Sequence, residues 1–476
     1  MKICLITPPS EFLLDERVFV SLGILKVASA LEAAGVEVDH LDLAGVENFM
    51  DVVYDYAGTH APECYALTAT TPQMPSATRI ALFLRSESGS RVILGGPHAT
   101  LVNAAARKEN PKGRGWNALQ ELLANFDSVV AGDGEVAIFR AIKEKGLIDA
   151  DDPGSALWQK SSDFEVSPWP SRHLIDMESY HYSVDGRRAT SLIAQLGCPY
   201  ECGFCGGRNS FMLRRIRTRT ADSVIDEMLH LHYAYGVTGL MFYDDELNVN
   251  KGLVALMRRI KETDIDWRLR GFVKSELFND EQAEALYAAG FRWLLCGFES
   301  AHPRILKNIN KKATVEDNTL MLQTAHKYGL KVKALMSFGH PGESPETIEA
   351  TKQWLLKEKP DDFDCSIITT YPGCPYYDNA KLLGDSVYAY EFNGDKLYSR
   401  DVNFATDAMY YKGRPGDYKS YVWTDYISPE DLVRLRDEVE KEVRDALNIP
   451  YNAGQAALRY EHSMGMGLPP SILRTK

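Results

Sequence analysis

Cys198, Cys202 and Cys205 stand in the stretch GCPYECGFCGG at the spacing C-x-x-x-C-x-x-C, between glycine-bearing turns. Thiolates this close in one loop can converge on a metal centre, and three of them leave one position open. Structural zinc ordinarily takes four protein ligands, whereas a cubane iron–sulfur cluster held by three cysteines leaves one iron free to bind something else. Cys296, Cys365 and Cys374 are the candidates for a fourth ligand if the metal is zinc. The chain starts MKICLITPPS, which reads as a strand and turn and not as an export signal, so its eight cysteines point to metal ligation over disulfides.

Two αβ series must position this loop. Over residues 1–145 the β-branched runs KICLIT, VEVDHLDL, CYALTATT, RVILGGP and SVVAGDGE alternate with helical stretches such as SLGILKVASALEAAG. Strands that end in Gly, Pro or Thr just before helices predict a doubly wound, Rossmann-like parallel sheet with its ligand crevice at the strands' carboxyl ends. Residues 146–188, rich in Asp, Ser and Pro, read as a linker. From 189 to 384 the strands TSLIAQLG, GLMFYDD, WRLRGFV, FRWLLCGFES, KVKALMSFG and DCSIITTYPG recur between helices. Six βα units predict a partial (β/α)6 barrel whose chemistry lies at the strand ends, and the cysteines follow its first strand. Residues 385–476 turn aromatic and irregular before one charged helix, SPEDLVRLRDEVEKEVRDAL, with Ser428 as N-cap and Pro429 at N1. This region reads as an α-rich cap over the barrel mouth, with an oligomer contact as the alternative. The closing YEHSMGMGLPPSILR, with His462, carries no chemistry that can be assigned.

Lys plus Arg number 53 against 66 for Asp plus Glu, a net charge of −13, which argues against nucleic acid as a partner. The basic run RRIRTRT at residues 214–220 precedes an amphipathic helix with Thr220 as its N-cap and reads as structural. No apolar run approaches the roughly 18 residues of a membrane span, and a cytoplasmic location is expected.

A C-x-x-x-C-x-x-C loop with Phe204 before its last cysteine, following the first strand of a partial barrel, resembles the radical S-adenosylmethionine superfamily. The stretches TPPS, TATTPQ, GGPHAT and GDGE at the earlier strand ends, followed by SRHLIDMESY and the cysteines, are similar to its cobalamin-binding branch over about residues 1–375. The resemblance implies that Cys198, Cys202 and Cys205 hold a 4Fe-4S cluster whose open iron chelates S-adenosylmethionine. It implies S-adenosylmethionine contacts from Phe204, from Asp244, Asp245 and Glu246 of FYDDELN to the methionine amine, from Arg270 to the carboxylate, from Glu299 to the ribose or amino-acid part, and from Ser337 and Gly339 beside adenine. It implies cobalamin contacts from Pro9, Thr70, Thr71, Gly95, Gly96, Pro97, His98, Gly132, Gly134 and Glu135. The D-x-H-x-x-G string of many cobalamin domains is missing, which leaves His98 either as a substitute cobalt ligand or as a hydrogen-bonding group.

The implied function is methylation of an unactivated carbon, or phosphorus, of a small-molecule substrate through methylcobalamin and a 5′-deoxyadenosyl radical. An electron donor such as flavodoxin or ferredoxin would serve the cluster. The alternatives are a cobalamin-dependent cyclase or ring-rearranging enzyme, and a non-catalytic cobalamin or cluster sensor.

Overall fold

The computed structural model describes residues 1–10, 16–108, 113–407, 410 and 419–450. Its first layer system runs β1 (Lys2–Thr7), α1 (Leu22–Ala33), β2 (Glu37–Asp42), α2 (Phe49–Thr59), β3 (Cys64–Thr68), α3 (Met74–Glu87), β4 (Arg91–Gly95), α4 (Pro97–Lys108), α5 (Arg114–Asn125), β5 (Ser128–Ala131), α6 (Gly134–Ala141) and β6 (Gly146–Asp149). The six strands form one parallel sheet in the order β2-β1-β3-β4-β5-β6. Its order reverses between β1 and β3, the switch point where such sheets open a crevice. KICLIT is almost continuously apolar because β1 is covered on both faces, Cys4 and Ile6 on one side and Ile3 and Leu5 on the other. The sheet extends beyond residue 145, where the linker was expected to begin. β6 offers only Leu147 and Ile148 as apolar residues, too few for a periodic signal, and it forms by pairing with β5.

The second system comprises α7 (Ser161–Val166), β7 (Ser183–Val184), β8 (Arg187–Leu192), β9 (Gln195–Leu196), α8 (Phe211–Arg214), β10 (Arg217–Thr218), α9 (Ala221–Tyr235), β11 (Gly239–Phe242), α10 (Leu253–Lys261), β12 (Arg268–Phe272), α11 (Asp280–Ala289), β13 (Phe291–Glu299), α12 (Pro303–Ile309), α13 (Val315–Lys327), β14 (Lys331–Phe338), α14 (Pro345–Glu358) and β15 (Asp362–Ile367). The sheet order β15-β14-β13-β12-β11-β8-β7 contains the six parallel strands of the expected partial barrel, with β7 antiparallel at one edge. Alternation along the strands divides the side chains. Leu240, Phe242, Leu269, Phe298 and Phe363 face the helices in the main core, whereas Ala189, Met241 and Leu295 meet Val18 and Tyr182 in a second cluster. Thr220 caps α9 by accepting from the Ser223 amide, as its position predicts. The basic run ahead of it is engaged in ion pairs, Arg219 with Glu227 of α9 and Arg217 with Asp133 of the first domain.

The last described elements are α15 (Pro375–Asp378), β16 (Lys381–Gly384), β17 (Val387–Phe392), β18 (Asp395–Arg400), β19 (Val422–Trp423) and α16 (Pro429–Leu447). The α-rich expectation holds for α16, with Ser428 accepting from the Asp431 amide; the segment before it is a four-stranded antiparallel sheet. Its signal is Asn393-Gly394, both at positive φ (54° and 82°), the two-residue hairpin turn that matches strand twist. α16 docks on β15, where Glu440 accepts from the Cys365 amide at 2.7 Å. His462 lies outside the described residues.

Candidate active site

β9 pairs antiparallel with β10 and so closes the segment that carries the three cysteines. Gly197 opens it at φ +90°, with its missing Cβ only 2.0 Å from the Arg215 carbonyl oxygen, a place no other residue fits. Its N–H donates to Asp245 Oδ2 at 2.7 Å. The Cys198 N–H donates to the Leu213 carbonyl at 2.9 Å and the Gly203 N–H to the Ile309 carbonyl at 2.8 Å, so the loop is pinned on both sides. Cys202 is buried against Ile305 and Ile309, Cys198 is half-buried and Cys205 is open to solvent. Burial pushes the Cys198 and Cys202 thiols up, Cys198 to about 11, and for Cys198 the neighbouring Cys202 adds to it by repulsion. Three thiols that repel as they ionise call for a cation to hold them as thiolates. Lys311 and Lys274 favour the Cys202 thiolate from one side.

Among the described residues, no three His, Cys, Asp or Glu side chains stand at the separations of a single-ion site. A cubane distributes its cysteines over three irons instead of drawing them to one atom. The trio on its pinned loop fits that group.

The expected S-adenosylmethionine residues divide into those that converge on this loop and those that do not. Glu299 ends β13 with φ +63°, a left-handed conformation that costs roughly 1–3 kcal/mol and clusters at functional sites. Its carboxylate accepts from Ser337 Oγ at 2.7 Å and from Lys311 Nζ at 3.2 Å. Ser337 Oγ also lies 2.7 Å from His340 Nε2, and the Phe204 ring meets His340 edge-on at 5.4 Å. Phe204, Glu299 and Ser337 therefore belong to one network. Burial lowers His340 to about 3, so its ring is neutral. Gly339 follows, its N–H donating to Glu343 at 3.1 Å.

Asp244 and Asp245 hold backbone: Asp244 Oδ1 accepts from the Ala194 N–H at 2.8 Å, and Asp245 takes Gly197. Asp244 Oδ2 and Glu246 Oε2 are both buried without a hydrogen-bond partner, and burial lifts each carboxyl to about 7; Glu246 differs in having neither oxygen committed to the backbone. Arg270 points into the barrel at mid-strand, bonded to Tyr182 and over the Trp293 ring at 6.0 Å. The cations beside the cluster loop are Lys274 and Lys311. Lys274 lies 4.3 Å from the Tyr200 ring centroid, pairs with Glu276 and donates to the Lys311 carbonyl at 2.9 Å. Burial works against charge on Lys311, but Glu299, Cys202 and Glu246 hold its ammonium well above the ordinary range.

A cavity of about 270 Å³ lies between the carboxyl ends of the first sheet and the cluster loop. Gly95, Gly96, Pro97, Gly132, Gly134 and Glu135 line it, as expected, together with apolar Ile24, Val27, Ile93, Val130 and Ile138. Gly132, at φ +94°, admits no Cβ, which would stand 2.6 Å from the Ala150 backbone. Lys26, Asp133 and Arg217 also line the cavity, in the pairs Lys26–Glu135 (3.2 Å) and Arg217–Asp133 (2.5 Å). An apolar slot walled by glycines and rimmed by polar groups suits a flat heterocyclic base carrying polar substituents, which is the character of the nucleotide end of cobalamin. Pro9, Thr70, Thr71 and His98 lie outside its lining. His98 is buried, with Nδ1 3.0 Å from Thr71 Oγ1 and its ring edge-on to Phe404 at 6.0 Å.

The radical SAM superfamily matches residues 192–355 and the B12 binding domain matches residues 16–139. An uncharacterized methyltransferase of Pyrococcus horikoshii is 30% identical over 392 residues, 80% of this chain and 83% of the relative. The anaerobic magnesium-protoporphyrin IX monomethyl ester cyclase of Rubrivivax gelatinosus is 24% identical over 80% of this chain and 68% of its own length. The fold is shared with the radical S-adenosylmethionine methyltransferase TsrM from Kitasatospora setae, solved with cobalamin and a [4Fe-4S] cluster, at a TM-score of 0.61 and 18% identity over 83% of this chain and 81% of that one. The chain belongs to the cobalamin-binding radical S-adenosylmethionine enzymes, whose cofactors are a 4Fe-4S cluster, S-adenosylmethionine and cobalamin.

Proposed function

We propose that this protein is a cobalamin-dependent radical S-adenosylmethionine methyltransferase acting on an unactivated carbon, or phosphorus, of a small molecule. The observation that carries the reading is that the glycine-walled cavity of the first sheet opens directly against the cysteine loop of the barrel. When bound, the cluster with S-adenosylmethionine supplies a hydrogen-abstracting radical, and cobalamin supplies the methyl group.

The chain's own residues bind, orient and exclude water. Cys198, Cys202 and Cys205 ligate the cluster. Glu246, with its unpartnered buried oxygen, holds the methionine ammonium, while Asp244 and Asp245 fix the loop beneath it. Lys274 holds the carboxylate, since it stands beside Tyr200 of the cysteine loop where Arg270 does not. Glu299, set by Lys311 and Ser337, meets the ribose; Phe204 and Gly339 flank the adenosine. In the first domain Gly95, Gly96, Pro97, Gly132, Gly134 and Glu135 cradle cobalamin, with Pro9, Thr70, Thr71 and His98 toward its polar substituents. His98 acts as a neutral hydrogen-bonding group there, its Nδ1 being engaged by Thr71. Residues 1 to 149 thus serve cobalamin and 183 to 384 the cluster and S-adenosylmethionine, with the antiparallel sheet and α16 as cover. A flavodoxin or ferredoxin in the cytoplasm completes the system as electron donor.

Replacing Lys274 by Gln tests the carboxylate assignment. A hydrogen bond to a charged group contributes about 1.5–3 kcal/mol, so KM for S-adenosylmethionine is expected to rise about 10- to 100-fold, with the cluster spectrum retained.

The activity itself is tested with reduced, reconstituted protein, methyl-deuterated S-adenosylmethionine and candidate metabolites. Deoxyadenosine together with a product carrying the intact labelled methyl group is the expected outcome. Deoxyadenosine with an unmethylated, ring-closed product supports the second reading, which the likeness to the cyclase favours. Failure to form deoxyadenosine contradicts both.

A further inference from the structure

The cavity and the cluster loop share one wall. Leu196, Gly197, Met212, Leu213 and Arg217, all from the segment around the cysteines, line the cavity beside the glycines of the first sheet. The first domain also grips this segment at two points. Asp151, fully buried just beyond β6, accepts from Ser210 Oγ and from the Met212 N–H, each at 2.7 Å, and is itself paired with Arg107. Asp133, at the mouth of the cavity, takes Arg217 through two bonds of 2.5 and 3.1 Å, the two side chains being only 11% and 2% exposed. Between these anchors lies Leu213, whose carbonyl receives the Cys198 N–H. The backbone that fixes the first cysteine is therefore suspended between two carboxylates, Asp133 of the first domain and Asp151 just beyond its last strand. Lys26 and Glu135 complete the shell with a second pair, so that Asp133, Glu135, Lys26 and Arg217 carry no net charge between them.

Two cofactors in separate domains need not influence each other. Here the element that both would press on is the segment between residues 197 and 218, which the two anchors hold against the cavity. A group seated in the cavity packs on Leu196, Met212 and Leu213 and favours the held form; a cluster on the three cysteines favours the same form from the other side. Ligands that prefer one state of a shared element help each other, and the help is reciprocal.

We infer that cobalamin and cluster binding are positively coupled through this segment, with the Asp133–Arg217 and Asp151 anchors as the positioning residues that transmit the coupling. The inference rests on the assignment of the cavity to cobalamin. Removing Arg217 alone would leave Asp133 as an uncompensated buried charge. The informative variant is therefore the double replacement Asp133→Asn/Arg217→Gln, which keeps the shell uncharged overall except for Lys26–Glu135.

The test uses the full chain with its cluster reconstituted anaerobically, with and without hydroxocobalamin. Iron release to a chromogenic ferrous chelator is timed, and cobalamin retention is read from the visible spectrum after gel filtration. Couplings of this kind span about 5- to 150-fold, and cobalamin is expected to slow iron release about tenfold in the wild type. In the double variant, compared at a hydroxocobalamin concentration that restores occupancy, cobalamin slows release by less than about twofold, a loss of most of that coupling. Arg217→Lys, which keeps the charge and one bond, is expected to fall between, and it carries the same test should the double variant fail to fold. Equal slowing in wild type and variants, or no slowing in a wild type that retains cobalamin, overturns the coupling. A wild type that does not retain cobalamin at all overturns the cavity assignment itself, and the coupling with it.

Discussion

Cys202→Ala is expected to empty the cluster site. Protein reconstituted with iron and sulfide and then desalted should carry iron at background, and deoxyadenosine formation should fall by more than the roughly 100-fold that even an outer-shell change beside a metal can cost. The reason is geometric. Cys202 is buried against Ile305 and Ile309, its neighbour Gly203 is hydrogen-bonded to the Ile309 carbonyl, and no other cysteine lies on the pinned loop besides Cys198 and Cys205. A side chain that lost its thiolate there cannot be replaced by movement of the loop. Cys296→Ala and Cys365→Ala are the controls. Both residues are fully buried in the core between barrel sheet and helices, and their loss is expected to cost stability of about 1 kcal/mol while leaving iron bound. Cys374→Ala should also keep iron; its loss of iron would revive the four-ligand zinc alternative.

Filling the cavity should have the opposite signature, with stability kept and cofactor lost. Ala66 lies in β3, buried, and lines the cavity between Leu5 and Ile93. Ala66→Phe places an aromatic ring where the heterocyclic end of cobalamin is assigned. Core substitutions that enlarge a side chain ordinarily cost about 1–3 kcal/mol through overpacking. Here about 270 Å³ of space receives the ring, and the melting temperature of the cobalamin-free protein should not fall. Cobalamin affinity, read by equilibrium dialysis, should drop by at least about 100-fold, equivalent to roughly 2.7 kcal/mol. The cluster should still load, because Ala66 touches none of the loop's anchoring bonds. A fall in melting temperature with cobalamin still bound would place the cofactor elsewhere.

How much of this was legible beforehand depended on whether the information was local. The cysteine spacing, the glycines at the ends of β4 and β5, and the caps Thr220 and Ser428 are encoded in residue type and interval; both caps form, and the glycines line the cavity. Alternation puts Arg268 and Arg270 on one face of β12, but it says nothing of height along the strand. Four residues further on, about 13 Å at strand rise, Lys274 stands beside the cysteine loop while Arg270 remains inside the barrel. Asp244, Asp245 and Glu246 are recognisable as acids at a strand end, but the interval does not say that Asp244 and Asp245 each bond a backbone N–H, of Ala194 and Gly197, or that Asp244 and Glu246 each keep a buried oxygen open. Lys311 and His340 come from segments after β13 and β14 and meet Glu299 and Ser337 only through tertiary packing. No interval in the chain announces that. The Asn393-Gly394 hairpin was a local signal, masked by the aromatic residues around it.

The whole account depends on an iron corner of the cluster being open to the amino-acid end of S-adenosylmethionine. Electron–nuclear double resonance on the reduced, reconstituted protein measures this directly, using S-adenosylmethionine labelled with ¹⁵N at the amine and ¹⁷O at the carboxylate. Hyperfine coupling of both nuclei to the cluster is expected in the wild type. A reduced cluster whose spectrum shows neither coupling while S-adenosylmethionine is bound would contradict it.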